Sequence, residues 1–341
     1  MRFMNFLISI CAIGTLAGCI NAREPVASAS KLSESALDGS DTLIYSSPDN
    51  YLLTLDQVDS SSEVEVRSYK DMFELFDKLN YTPEAWQAGI REVPRVYLPL
   101  IGDRWGTTGS KEVTIENKKR LFFRGLAPLI LRANELIMID RDRLGNIWSA
   151  FKETGTITEQ DQNWIKKLAS LYKVQPGEDQ VTTSMLQELW EKVDIVPVSL
   201  ALGQAAEESG WGTSRFAAQG NAVYGQWTWG KNAIKPEQQR KELGNYGIAA
   251  FESLQQSICA YMLNLNTHNA YTSLRGKRAE LRKKGEKITG YVLADQLTKY
   301  SERGVEYVKT IKSMMDYNRL NPADDAYLSN DPPIYLVPVA D

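Results

Sequence analysis

The sequence predicts an α+β fold that is predominantly helical, with an N-terminal helical region, a second helix-rich block and one small β-hairpin lobe. Apolar residues recur at helical spacing: Met72, Phe73, Leu75, Phe76 and Leu79 form one face, and Val198, Ala201, Leu202, Ala205 and Ala206 form another. Between Trp229 and Phe251 the chain is polar and rich in turn formers, which reads as a loop or short hairpin. A length of 341 residues allows about two domains, and 43% hydrophobic with 24% charged residues excludes wholesale disorder. No repeat at solenoid spacing is present.

Taken in order, the chain opens with Arg2, an apolar run from Phe3 to Leu16, and Leu16-Ala17-Gly18-Cys19. The run is too short for a good membrane span and has the outline of an export leader. Leu-Ala-Gly-Cys resembles a bacterial lipobox, at which residues 1–18 would be cut away and Cys19 lipidated. An ordinary signal peptide with a chance cysteine is the alternative. Ile20, rather than an aspartate, follows the cysteine. By resemblance to Gram-negative lipoproteins this implies a lipid anchor in the outer membrane and a protein facing the periplasm. Residues 19–62 are polar and rich in small residues, and read as a flexible tether. Its most polar stretch, some thirty residues from Asn21 to about Asn50, reaches at most ~100 Å, or ~30 Å as a coil, enough to lift a domain off a membrane.

Residues 63–175 form the N-terminal helical region. Within it Lys118 to Leu144 is a long helical segment that Pro128 is expected to kink or break in two. Arg124, Arg132 and Glu135 interrupt its apolar residues, which favours a core helix over a second membrane span. Asp140 to Gly145 has the start of a calcium-loop pattern, but Leu144 occupies a ligand position and Phe151 the place of the closing glutamate. A polar stretch at Gln175–Gln180 precedes the second block, residues 183–321, and residues 322–341 read as a proline-rich extended tail.

Composition narrows the chemistry. His268 is the only histidine, so zinc sites built on two or three histidines are excluded, and no G-x-S-x-G elbow accompanies it. Cys259 and His268 stand nine residues apart in a helical segment, which at about 100° per residue sets them on opposite faces. Cys259 reads as a small core residue and His268 as a local helix-end contact. The formal net charge of −4 gives no global field for nucleic acid. No metal or organic cofactor is indicated, and carboxylates become the candidate catalysts.

The most informative stretch is PVSLALGQAAEESGWGTSRFAAQGNAVYGQ, residues 197–226. Pro197 suits a first helical turn, and Gly210 with Gly212 ends the helix, leaving Glu207 and Glu208 in its last turn. There the negative end of the helix dipole opposes ionisation of a carboxylate. Helical geometry sets Glu208 at the edge of the apolar stripe, beside Ala201 and Ala205, and turns Glu207 nearly away. A half-buried Glu208 would have a raised pKa, the state a general acid needs near neutral pH.

Ala206-Glu207-Glu208-Ser209-Gly210-Trp211-Gly212-Thr213-Ser214 is similar to the A-x-E-S-G-W-G-x-S signature of bacterial cell-wall glucosaminidases, glycoside hydrolase family seventy-three. Asn221-Ala222-Val223-Tyr224-Gly225-Gln226 matches their downstream segment, and Arg91–Tyr97, Ala133–Glu135, Asn264–Tyr271 and Tyr300–Gly304 point to the Bax-like branch. The resemblance covers about residues 65 to 321. It implies a lysozyme-like catalytic domain that hydrolyses peptidoglycan glycan strands after N-acetylglucosamine, with Glu208 as catalytic acid. It also implies a glycan groove lined by Trp211, Tyr224, Gln226, Trp227 and Tyr300. Glu242 best matches the family's second acid, with Glu237 and Glu252 as the other acids of the lobe. A muramidase or lytic transglycosylase acting through the same glutamate, and a non-catalytic wall-binding lipoprotein, are the alternative readings.

Overall fold

The alternating sequence SEVEV opens the folded part of the chain as a strand, β1 (Ser62–Val66). The computed structural model describes residues 61–101, 113–175, 180–230, 233–237, 244 and 246–339. The leader, Cys19, almost all of the tether and Glu242 lie outside the described residues. Helix α1 (Tyr69–Lys78) starts at a capping box formed by Ser68 and Asp71. Helix α2 (Pro83–Gln87) starts with Thr82 as cap and proline in its first turn. Two short strands follow, β2 (Glu92–Val93) and β3 (Val96–Tyr97). The N-terminal region is therefore not purely helical.

Helix α3 (Ile115–Thr154) runs unbroken through Pro128. Proline removes one backbone donor and costs about 3 kcal/mol, whereas each fully buried Leu or Ile contributes roughly 1.5–3 kcal/mol. Leu126, Leu129 and Ile130 flank the proline and are all buried, so packing outweighs the local defect and the expected break does not occur. Helices α4 (Glu159–Leu171) and α5 (Thr183–Lys192) lead to α6 (Val198–Ser209), then α7 (Arg215–Gly220). Every residue of α6 from Val198 to Ala206 is buried. Helix α6 is thus a central helix, packed against α3 and against helices later in the chain, rather than an amphipathic one with a single apolar stripe.

The lobe is an antiparallel sheet of β4 (Trp227–Thr228), β5 (Ala233–Ile234) and β6 (Gly247–Ala249), with β6 in the middle. Helices α8 (Leu254–Thr267), α9 (Thr272–Lys284), α10 (Gly290–Ala294) and α11 (Val305–Tyr317) complete the helical body. The fold is α+β and predominantly helical, as the pattern predicts.

The segment read as an extended tail is structural. After a 3-10 turn (Asn321–Asp325), β7 (Tyr327–Leu328) pairs in parallel with β2, and β8 (Ile334–Pro338) lies between β1 and β3 in a parallel sheet. Pro322 lies in the turn, Pro332 and Pro333 precede β8, and Pro338 ends it, positions where no ladder donor is needed. The 3-10 turn also serves α6. Pro197 offers no side-chain cap, and Asp324 supplies one: Ser199 N–H donates to Oδ1 at 2.9 Å, and Ser199 Oγ and Gly290 N–H each donate to Oδ2 at 2.8 Å. Two of the motifs matched outside the second block also make joints here. Arg95 donates twice to Glu135 of α3, both at 2.8 Å, and once to the Ser329 carbonyl. Asn134 exchanges two hydrogen bonds with the backbone of Val196, just ahead of α6.

Candidate active site

Helix α6 ends abruptly because Gly210, Trp211 and Gly212 all adopt positive φ, at 58°, 55° and 78°. Two glycines meet this need without strain, and Trp211 is carried between them. Ser209 holds the turn: its Oγ donates to the Ala205 carbonyl at 2.6 Å and accepts from Gly212 N–H at 2.9 Å. Ser214 then caps α7. The Ser-Gly-Trp-Gly part of the signature is thus a device for stopping one helix and starting the next, with the preceding glutamate left on the last turn.

Glu208 is enclosed there. Tyr307, reaching from α11, donates to its Oε1 at 2.8 Å. Burial pushes the Glu208 carboxyl up to about 7, the Tyr307 hydrogen bond pulls against this, and Glu207 adds to the rise while Arg303 opposes it. A side chain at position 225 would lie against Oε2; that position is glycine, with φ +58°. Glu207 is paired with Arg303 at 2.8 Å, which ties α6 to the segment carrying Tyr300. Tyr300 stacks on Tyr307 with ring centroids 5.2 Å apart, and Tyr271 lies beyond it at 5.8 Å. Burial raises the hydroxyl pKa of Tyr300 and of Tyr307 well above the ordinary tyrosine value, so both remain neutral donors.

The predicted groove residues separate into three groups. Glu208, Tyr300 and Gly225-Gln226 come together, and Gln226 Oε1 is buried with no hydrogen-bond partner among the described residues. Trp227 is 47% exposed on the lobe, stacked on Tyr246, and is open to a ligand. Tyr224 and Trp211 depart from the expectation. Tyr224 is 2% exposed, its ring stacked on Tyr261 at 3.7 Å, so no sugar can reach its face. Trp211 lies under the Lys119 ammonium, 4.4 Å from the ring, and lines a separate open groove with Met314 and Tyr317 that shares none of Glu208's contacts.

Sequence reasoning missed Tyr307, which lies seven residues after Tyr300, in the first turn of α11, and acquires its role only when α11 meets α6. It also missed Trp229, 66% exposed and two residues beyond Trp227, a spacing that in extended chain puts both on one side. Glu237 and Glu252 are exposed. His268 Nδ1 accepts from Ala270 N–H, the local contact its sequence context suggests, and Cys259 is buried in the core. Among the described residues no cluster of three or more His, Cys, Asp or Glu side chains could hold a metal ion.

Residues 183–320 match the glucosaminidase family, described as mannosyl-glycoprotein endo-beta-N-acetylglucosaminidase. Protein bax of Escherichia coli (strain K12) is 32% identical over 203 residues, covering 59% of this chain and 70% of that protein. The chain belongs to the Bax-like glucosaminidase family. No solved structure matches it. Membership supports a glycan hydrolase-type function and a glycan substrate.

Proposed function

We propose that the protein hydrolyses peptidoglycan as an endo-β-N-acetylglucosaminidase, cleaving the β-1,4 bond after N-acetylglucosamine with Glu208 protonating the leaving oxygen. The observation that carries this reading is the Glu208 carboxyl itself, buried at a helix C-terminus, held by Tyr307 and raised to about 7. Such a group is still substantially protonated near neutral pH, where an ordinary glutamate is ionised, and can release its proton to a glycosidic oxygen as the bond breaks. Trp227, exposed on the lobe, offers a flat face for a sugar ring, and the unpaired Gln226 Oε1 offers an acceptor to a sugar hydroxyl or acetamido N–H.

Glu242 is the proposed second acid. As general base on the lobe it would activate water and invert the anomeric centre across a gap of roughly 6.5–9.5 Å. The substrate's own N-acetyl group is the alternative, and it would give retention. Digestion of purified sacculi tests the reading. Mass spectrometry is expected to find reducing N-acetylglucosamine ends, and the anomer first released separates the two routes. Anhydro-muramic or reducing muramic acid ends would assign the neighbouring bond instead and overturn the proposal.

We also propose that Cys19 anchors the protein by lipid in the outer membrane, facing the periplasm, on the strength of Leu16-Ala17-Gly18-Cys19 and Ile20. Labelled palmitate is expected to enter the wild-type protein and to be lost in Cys19→Ser. Equal labelling of both would refute the anchor.

A further inference from the structure

The wall behind Glu208 is a directed chain of hydrogen bonds. Tyr261 on α8 donates its hydroxyl proton to Gln204 Oε1 at 2.6 Å; Gln204 Nε2 donates to the Tyr307 oxygen at 2.9 Å; Tyr307 donates to Glu208 Oε1 at 2.8 Å. Gln204 and Tyr261 are fully buried and Tyr307 nearly so. Gln204 stands one turn before Glu208 on α6, so the chain joins three helices around one acid.

The direction of this chain has chemical content. An amide nitrogen can only donate, so Tyr307 accepts from Gln204 and keeps its single proton for Glu208 Oε1. With Oε1 engaged as acceptor, the acid's own proton resides on Oε2, the oxygen beside Gly225. Were the Gln204 amide reversed, its carbonyl would take the Tyr307 proton. Glu208 would then turn its proton inward to the Tyr307 oxygen, and the Tyr261 proton would be stranded in the core. Tyr261 is what holds the amide in the observed sense.

We propose that Gln204 and Tyr261 are positioning residues that set the direction of the Tyr307 hydroxyl and thereby keep the transferable proton of Glu208 on Oε2. The inference rests on the reading of Glu208 as general acid, but it makes a claim about the protonation of Glu208 that holds without turnover. The titratable and charged groups around the acid are Glu207 on α6, Arg303 before α11, Tyr307 on α11, Tyr261 on α8, and Tyr271 and Tyr300. Tyr261→Phe and Gln204→Met change the formal charge of none of them.

The test measures two quantities on wild type and both variants: the carboxyl titration of Glu208 by carbon NMR, and the pH profile of turnover on sacculi. Loss of the Tyr307 hydrogen bond to the ionised acid is expected to move the Glu208 midpoint, and the alkaline limb of the profile, upward by about one pH unit in Tyr261→Phe. The acid-side plateau is expected to fall about tenfold as the proton turns inward. Gln204→Met leaves the Tyr307 hydroxyl undirected and is expected to move the midpoint in the same direction by less. If turnover falls while the Glu208 midpoint stays at its wild-type value in both variants, the residues are merely structural and the inference is overturned. If the midpoint moves as expected but Glu208→Gln retains activity, the inference stands and the catalytic reading fails.

Discussion

Glu208→Gln is expected to lower turnover on purified sacculi by about three orders of magnitude, and at pH 8 to make the fold more stable. The first effect follows from removing the proton donor, since general acid catalysis contributes roughly 10²–10⁴ in rate. The second follows from linkage. The carboxyl pKa is raised from 4.5 to about 7 by burial, so the folded state favours the protonated form. Below pH 4.5 the acid is neutral in both states and costs nothing. As pH rises from 4.5 through 7 the unfolded state ionises freely and the folded state only at a cost, which reaches its full value above 7. A shift of this size corresponds to on the order of 3 kcal/mol, so the neutral amide relieves up to that amount at pH 8 and almost none at pH 4. Denaturant midpoints at the two pH values check this, and wild-type turnover should fall as pH rises through about 7. Equal turbidity loss by wild type and variant would remove the catalytic assignment. Binding of sacculi without turnover by either would favour a glycan clamp.

How much of this was legible in the sequence depends on how local the cause is. The helix around Glu208 and its abrupt stop could be read from Pro197, Gly210 and Gly212, because caps and positive φ are properties of a few neighbouring residues. The lobe was legible from its turn formers. The strands β2, β3, β7 and β8 were not: they are only two to five residues long, and they pair segments about 235 residues apart, for which no periodicity exists. A separation of 125 residues likewise hid the capping of α6 by Asp324. Pro128 was misjudged because propensity is a local cost and the burial that overrides it is tertiary.

At the site, the half-burial of Glu208 was foreseen on an incomplete geometry. Helical spacing gives α6 one apolar stripe, whereas α3, α10 and α11 pack around the helix and bury nearly all of it. Gln204 was within reach of sequence reasoning, four residues before the acid on the same face, but a buried glutamine has no distinctive pattern. Tyr224 and Trp211 show the limit of carrying aromatic residues over by motif. A tyrosine can belong to a signature because it packs the core, as Tyr224 does against Tyr261, and a tryptophan can line a different groove, as Trp211 does with Met314 and Tyr317.

Asp194→Ala is expected to cost about 3–5 kcal/mol, the range for removing one partner from a buried ion pair. Asp194 lies between α5 and α6, and three arginines converge on it. Arg282 donates to both carboxylate oxygens, at 2.8 and 2.6 Å, while Arg141 and Arg278 each stand 3.7 Å away. Burial pushes the Asp194 pKa up, but the Arg282 hydrogen bonds and the combined charge of the three arginines more than offset it, leaving the value below the usual range. Burial also brings the Arg278 guanidinium down to about 10, still charged at neutral pH. Without the carboxylate, Arg278 at 0% exposure and Arg141 at 5% would lose the counter-charge they share. Arg282 is 35% exposed and would turn to water, so Arg282→Ala should cost no more than about 1–2 kcal/mol. The sign in pH follows from the lowered pKa: Asp194 stabilises fully above 3.8 and loses its contribution as pH falls through the folded value. In Asp194→Asn that part of the acid dependence should vanish. Urea midpoints at pH 7 and below pH 4 check both statements. Equal losses for Asp194→Ala and Arg282→Ala at pH 7 would mean that the buried arginines do not depend on this carboxylate, and that their hydrogen bonds to backbone carbonyls and packing suffice to hold α3, α9 and the lead-in to α6 together.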